Sequence, residues 1–139
     1  MLIELGRSAR ASFDRIVFVS GHAGNVEPLH AAVERLRFEG QRADGVVPRL
    51  AGADAHAGDT ETSLMLFLHP DAVRMDRAEA GAREPLGQLI DRMRIGGVAA
   101  VAPNGVLGDP TAATRERGAD VFETLVTGLA TSLAADRDC

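Results

Sequence analysis

With 139 residues, 45% of them apolar, and a formal charge of −5, the chain has the length of about one domain and enough apolar side chains for a packed core. Its 15 basic residues are all arginines and are scattered, which together with the acidic balance excludes an electrostatic footprint for nucleic acid. No apolar run approaches the roughly 18 residues of a membrane span, Glu4 stands where a secretory signal wants base, and the lone Cys139 excludes an internal disulfide or a thiolate zinc cluster, so a cytoplasmic protein with no membrane partner is expected.

The first clear element is Arg15-Ile16-Val17-Phe18-Val19, short, apolar, β-branched and broken by glycines. That pattern predicts a strand buried on both faces of a parallel sheet. Val26, Leu29, Val33 and Leu36 then recur at helical spacing, with Asn25 available as a cap, Gly40 as a stop and His30 expected half-buried on the apolar stripe. Gly45-Val46-Val47 reads as a weak second strand limited by Pro48, followed by a Gly/Ala-rich loop. From Asp59 a helix carrying Leu64, Met65, Leu66 and Leu68 runs towards Pro70, and its apolar density predicts burial. A short helix over Leu86, Leu89, Ile90 and Met93 precedes a candidate strand Val98-Ala99-Ala100-Val101 and a turn at Asn104-Gly105. Asp109-Pro110 predicts a strong helix start, with Asp as N-cap and Pro at the first turn, and the last helix shows an apolar stripe of Phe122, Leu125, Val126, Leu129 and Leu133, with Arg115, Glu116, Asp120 and Glu123 left for solvent. Strands alternating with helices predict an α/β layered fold without repeats or an internal linker.

Two segments concentrate chemistry. Ser20-Gly21-His22-Ala23-Gly24-Asn25 falls where a strand ends and a helix begins, the place where open α/β sheets carry ligands. It reads equally as a metal-binding loop through His22 or as a glycine-rich phosphate or turn loop with an incidental histidine. Asp54-Ala55-His56-Ala57-Gly58-Asp59-Thr60-Glu61-Thr62 packs three carboxylates and an imidazole at a loop-to-helix junction. Asp59 as a cap and Glu61 as an acid matched to the helix dipole explain part of it, and leave Asp54 and His56 unexplained. Imidazole and carboxylate together suit zinc, manganese or iron. His69 before Pro70 reads as a helix end and Asp109 as a cap. No G-x-S-x-G elbow supports a serine nucleophile.

The order of three blocks resembles the creatininase family: Ser20 to Asn25 against N-G-H-G-G-N, Asp54 to Ser63 against D-x-H-A-G-x-x-E-T-S, and Gly108 to Thr114 against G-D-P-T-x-A-T. The resemblance implies a three-layer α/β/α fold with a mainly parallel sheet, two divalent metals per site (zinc, iron or manganese), and a homo-oligomer, often a hexamer. It implies an amide hydrolase, and the likeness runs to members that release a C-terminal dipeptide from a radical-modified precursor peptide. Carried over by position, His22 and Glu61 match metal ligands, His56 matches a catalytic histidine at the substrate, and Asp54 falls beside it as a substrate-binding position. In complete members the metals activate a bridging water while a metal and His56 stabilise the oxyanion. Ser20 and Ala23 depart from the signature. The family's upstream E-x-H-G-x-H-L-P block and following T-D have no counterpart before Ser20, and Met1 to Ser12 resembles the helix that precedes the signature strand. Residues 1–139 are therefore expected to form the C-terminal portion of one creatininase-like domain, with its N-terminal part missing, an open sheet edge and too few ligands for a dinuclear centre. Alternatives are a creatinine- or formylamino-pyrimidine-type amidohydrolase, disfavoured in its creatinine form by the absence of tryptophan, and a non-catalytic assembly module.

Overall fold

A computed structural model describes residues 1–135, so Cys139 lies outside the described residues. The chain divides into two compact units, residues 1–49 with the end of the last helix from 128, and residues 50–127.

The first unit opens with α1 (Leu2–Ala9), continues through β1 (Arg15–Val19) and a 3₁₀ turn to α2 (Val26–Phe38), and returns as β2 (Arg42–Val46). The two strands pair in parallel, Arg15 opposite Arg42 and Val19 opposite Val46. Gly40 at φ +80 makes the return, a left-handed conformation that a glycine adopts without steric cost. Phe18, Leu29, Val33, Leu36 and Ala43 form the core, with Leu2, Ile3, Ile16 and Val47 packed on it. Leu36, fully buried, is worth about 2–3 kcal/mol in apolar area removed from water. It fills the space over Gly6, where an added Cβ would sit 2.5 Å from Leu36 Cδ1.

Three expectations change here. The second strand begins upstream of Gly45-Val46-Val47, at Arg42, because Asp44 is held in the sheet by Arg15 at 2.7 Å and by Arg37. Strand β1 is not covered on both faces within this unit: Ile16 and Phe18 point into the core, whereas Val19, on the alternate face, is 51% exposed. His30 is exposed, its Nδ1 3.7 Å from Glu34 Oε2, since it sits about 100° round the helix from Leu29 and off the buried face.

The second unit holds α3 (Asp59–Leu68), α4 (Leu86–Gly96) and α5 (Arg115–Ala135), whose residues to Thr127 belong here. Leu89, Ala102 and Leu107 are its core, with Ala82, Met93, Val98 and Val101 against them. The candidate strand at Val98–Val101 is instead a 3₁₀ turn, Val98–Ala100, entered through Gly97 at φ +70; its valines bury as part of this cluster and pair with no strand among the described residues.

Helix α3 has the predicted bounds but a different buried face. Thr60 and Ser63 are the buried positions, while Met65 and Leu68 are 40% and 41% exposed. The cause is a close crossing with α5. A Cβ on Gly118 would lie 1.9 Å from Ser63 O, so only small residues fit there. Ser63 Oγ, fully buried, donates to Asp59 Oδ1 at 3.3 Å and accepts the Thr114 N–H at 3.1 Å. The same crossing turns α5 so that Val121 is buried and the expected stripe residues Phe122 and Val126 are 40% and 48% exposed. Phe122 still meets Phe67, ring centroids 5.7 Å apart.

Candidate active site

In the first unit, the loop after β1 is tied by one hydroxyl. Ser20 Oγ accepts from Asn25 Nδ2 at 3.0 Å and lies 3.4 Å from both the N–H and the carbonyl oxygen of His22, and the His22 carbonyl accepts the Asn25 N–H at 3.1 Å. Asn25 occupies the cap position of α2 as expected, but its side chain serves this loop and makes no cap bond. The exposed His22 ring folds over Gly24, where an added Cβ would stand 2.7 Å from His22 Nε2. Glycine at 24 is therefore a steric requirement of the imidazole's position.

In the second unit, His56 and Glu61 come together, Nδ1 3.2 Å from Oε2, with both side chains about half exposed. Two devices bring them there. His56 is clamped by an antiparallel bridge to Leu107: the N–H groups of Ala55 and His56 donate to the Leu107 carbonyl at 3.1 and 3.2 Å, and the Leu107 N–H donates back to the His56 carbonyl at 2.8 Å. Ala57 then takes φ +53, the left-handed region that a residue with a Cβ rarely enters, and its N–H donates to Glu61 Oε2 at 2.6 Å. A charge-assisted bond of this length offsets a conformational strain of about 1–2 kcal/mol. Neither Leu107 nor the strain at Ala57 is marked by a chemical residue type in the sequence, and both were missed there.

Asp54 is placed behind the pair. Its Oδ1 accepts the Thr60 N–H at 3.2 Å, at the start of α3, and its carboxylate fills the space that side chains on Gly58 and Gly108 would occupy, 1.7 and 2.6 Å from the respective added Cβ atoms. Asp59 pairs with Arg117 of α5. Asp109 is a cap as expected, its Oδ1 accepting from the Thr111 N–H at 3.0 Å and the Thr111 hydroxyl at 2.6 Å, but the expected helix start is only a single turn, Pro110–Ala112: Ala113 is extended and α5 begins at Arg115. The Thr111 hydroxyl first, then its N–H and Arg83, hold the Asp109 carboxyl below the usual carboxylate range. His69 ends α3 as expected.

Among the described residues no three His, Cys, Asp or Glu side chains converge as a metal site would require. One imidazole and one carboxylate meet, fewer than the three or four protein donors that zinc takes. The described donors therefore fit a divalent ion as part of a set and do not complete one.

An α/β fold with a parallel sheet, a histidine-bearing loop after its first strand and a His–Glu pair on a clamped loop defines the class of scaffold, and comparison with known proteins assigns its family. A family model described as creatininase, creatinine amidohydrolase, matches residues 1–133, and the chain belongs to the creatininase family, whose members hydrolyse amide bonds. The chain is 52% identical over 126 residues to the mycofactocin precursor peptide peptidase of Mycobacterium ulcerans (strain Agy99), covering 91% of this chain and 50% of that protein. It is 52% identical over 130 residues to the mycofactocin precursor peptide peptidase of Mycolicibacterium smegmatis, covering 94% and 53%. The chain thus spans about half the length of the curated relatives it matches. Solved structures agree on the fold: a manganese creatininase superposes with a TM-score of 0.75 at 26% identity, over 97% of this chain and 62% of that one. A mutant creatininase of zinc–zinc type gives 0.74 at 25% identity, over 97% and 61%. The expected creatininase-like α/β fold is borne out, and the metals named for these structures support a divalent metal in the family.

Proposed function

We propose that this chain carries part of the active site of a metal-dependent peptidase that releases a C-terminal dipeptide from a modified precursor peptide. The reading rests on one observation above the others, 52% identity to mycofactocin precursor peptide peptidases along nearly the whole chain. His22 and Glu61 are the metal ligands it contributes, to zinc, manganese or iron, two ions per site, and the remaining ligands are supplied by the half of the relatives' length that this chain does not cover. The working assembly is a homo-oligomer.

His56 is the group at the substrate. The Glu61 carboxylate beside Nδ1 can only accept a hydrogen bond, so it favours the tautomer with the proton on Nδ1 and leaves the Nε2 lone pair to accept a proton from the attacking water. His56 is then placed to take a proton from the attacking water and return it to the leaving amine. The bridge to Leu107 fixes the backbone from which the ring projects. Asp54 touches substrate only at the edge of this loop, if its carboxylate leaves Thr60.

The test mixes the chain with the half of the Mycolicibacterium smegmatis relative that it does not cover, adds zinc, manganese or iron, and follows dipeptide release from the modified precursor peptide by mass spectrometry. Release is expected from the complemented chain and is expected to fall at least about a hundredfold in His56→Ala, the range of general acid–base contributions. Undiminished release in that variant would sink the assignment.

A further inference from the structure

A cavity of about 430 Å³ opens within the second unit directly against Ala57 and Glu61. Its size falls in the range of small-molecule sites. Met65, Ala72, Val73, Met75, Val106 and Pro110 supply its apolar wall, and two flexible methionines let such a wall fit side chains of different shape. Most of its polar groups are already committed. Arg74 grips Asp76 with two nitrogens, at 3.0 and 2.8 Å. Asn104 donates to the Ala80 carbonyl and accepts the Val106 N–H, both at 3.2 Å. Glu61 holds the Ala57 N–H. Two charged lining groups, Arg77 and Glu79, have side chains with no hydrogen bond or ion pair among the described residues.

An apolar wall with free donors on Arg77 and the Thr62 hydroxyl and a free acceptor on Glu79 matches a particular chemistry. A peptide unit presents a carbonyl that accepts and an N–H that donates, flanked by a side chain. We propose that this cavity is a substrate subsite that receives an apolar side chain next to the scissile amide, with Arg77 and Glu79 binding the adjoining backbone carbonyl and N–H. Its continuity with Glu61 places the bound residue beside the candidate catalytic pair. A charged side chain would lose its hydration against the methionines and could pair only by taking Arg77 or Glu79 from the backbone, so it binds more weakly than an apolar one. The inference rests on the peptidase reading for its substrate, and it can be tested apart from it.

The probes are N-acetyl dipeptide amides, Ac-Gly-Phe-NH2, Ac-Gly-Gly-NH2 and Ac-Gly-Asp-NH2, titrated into the full chain and followed by NMR or calorimetry. Ac-Gly-Phe-NH2 is expected to bind about tenfold more tightly than the other two, the factor that 1.4 kcal/mol gives. Met65→Glu, at a partly exposed position that leaves the core alone, is expected to erase that preference, and Met65→Leu to keep it. Arg77→Gln is expected to weaken all three probes alike. Equal affinity of the wild-type chain for the phenylalanine and glycine probes, or a preference that survives Met65→Glu, overturns the subsite whether or not the precursor peptide is cut. A preference of the expected kind, with no cleavage of the precursor by the complemented chain, supports the subsite and removes the peptidase reading instead.

Discussion

Gly58→Ala tests whether the loop bearing His56 is locked by Asp54. The φ of −92 at Gly58 is not left-handed, and the requirement for glycine that this substitution probes is one of space. A methyl group there would lie 1.7 Å from Asp54 Oδ2, 2.5 Å from its Cγ and 3.0 Å from Gly108 Cα. The carboxylate must swing out and surrender the Thr60 N–H. Losing a charge-assisted bond costs about 1.5–3 kcal/mol, and overpacking adds about 1–3 kcal/mol where it is not relieved. The alanine's smaller unfolded-state entropy returns about 0.4–1 kcal/mol. The net expectation is a loss of about 2–3 kcal/mol. Asp54→Ala alone loses the same bond, about 1.5–3 kcal/mol, but it also removes Oδ2 and Cγ, the two nearest obstacles. The double variant should then be no less stable than Asp54→Ala, a coupling of about −2 kcal/mol in a double-mutant cycle. Urea unfolding followed by far-UV circular dichroism measures all four corners. Additivity of the two losses to within about 0.5 kcal/mol would refute the lock.

Gly118→Ala places a Cβ 1.9 Å from Ser63 O, a backbone atom that cannot rotate away, so it should cost at least about 2–3 kcal/mol with no single side-chain rescue; a loss under about 1 kcal/mol in the same unfolding assay contradicts the close crossing. Ser63→Ala removes the acceptor of the part-buried Thr114 N–H and should cost about 0.5–1.5 kcal/mol, and Ser63→Thr should not restore it, since the extra methyl meets the same crossing. Ala57→Gly relieves a left-handed alanine and should leave stability unchanged or raised by up to about 1 kcal/mol, whereas Ala57→Val should lower it; the opposite order would show that the φ of +53 is not maintained in solution. In the first unit the hydrogen bonds from Arg7, and then those from Arg35, lower the Glu39 carboxyl from 4.5 to about 2. A depressed carboxyl contributes stability that is whole above pH 4.5 and is lost as pH falls towards 2, so acid unfolding of the wild type should be steeper through that window than that of Arg7→Ala, and equal slopes would dismiss the pairing.

What could be read from the sequence depended on whether a segment's partners were local. Arg15–Val19 and Val26–Phe38 announce themselves by run and period, and the structure has them at those places. Val98–Val101 carries the same strand-like composition, but a strand needs a neighbour to hydrogen-bond, and composition does not say whether one is present. The buried faces of α3 and α5 were misjudged for a related reason. Hydrophobicity pointed to Met65, Leu68, Phe122 and Val126, whereas helix approach at Gly118 selects the small residues Ser63 and Thr60 for the interior. Of the candidate site, the meeting of His56 with Glu61 was legible as a motif, because their spacing straddles a helix start. The clamp on Leu107 was not, since a backbone bridge to a residue far along the chain leaves no mark in side-chain chemistry.

The motif residues divide unequally between chemistry and support, and this has a consequence for where activity is vulnerable. In the segment from Asp54 to Ser63 only His56 and Glu61 offer reactive groups to solvent. Asp54 and Gly58 interlock with Gly108, Asp59 reaches Arg117, and Ser63 takes the Thr114 N–H. The third block, Gly108 to Thr114, thus acts on the His–Glu pair from its far side, holding both ends of the loop at once. Displacing a catalytic group by about 1 Å can cost on the order of a hundredfold in rate. Thr114, which presents no group to the candidate site, is therefore expected to matter for turnover through its two anchor bonds, its N–H to Ser63 Oγ and its hydroxyl to the Arg117 N–H, both at 3.1 Å. Thr114→Ser keeps both bonds and should retain the rate of the complemented enzyme, while Thr114→Ala keeps the first, loses the second, and should lower kcat more than KM. Equal rates in the two variants would confine the third block to stability and leave the placement of His56 to Leu107 alone.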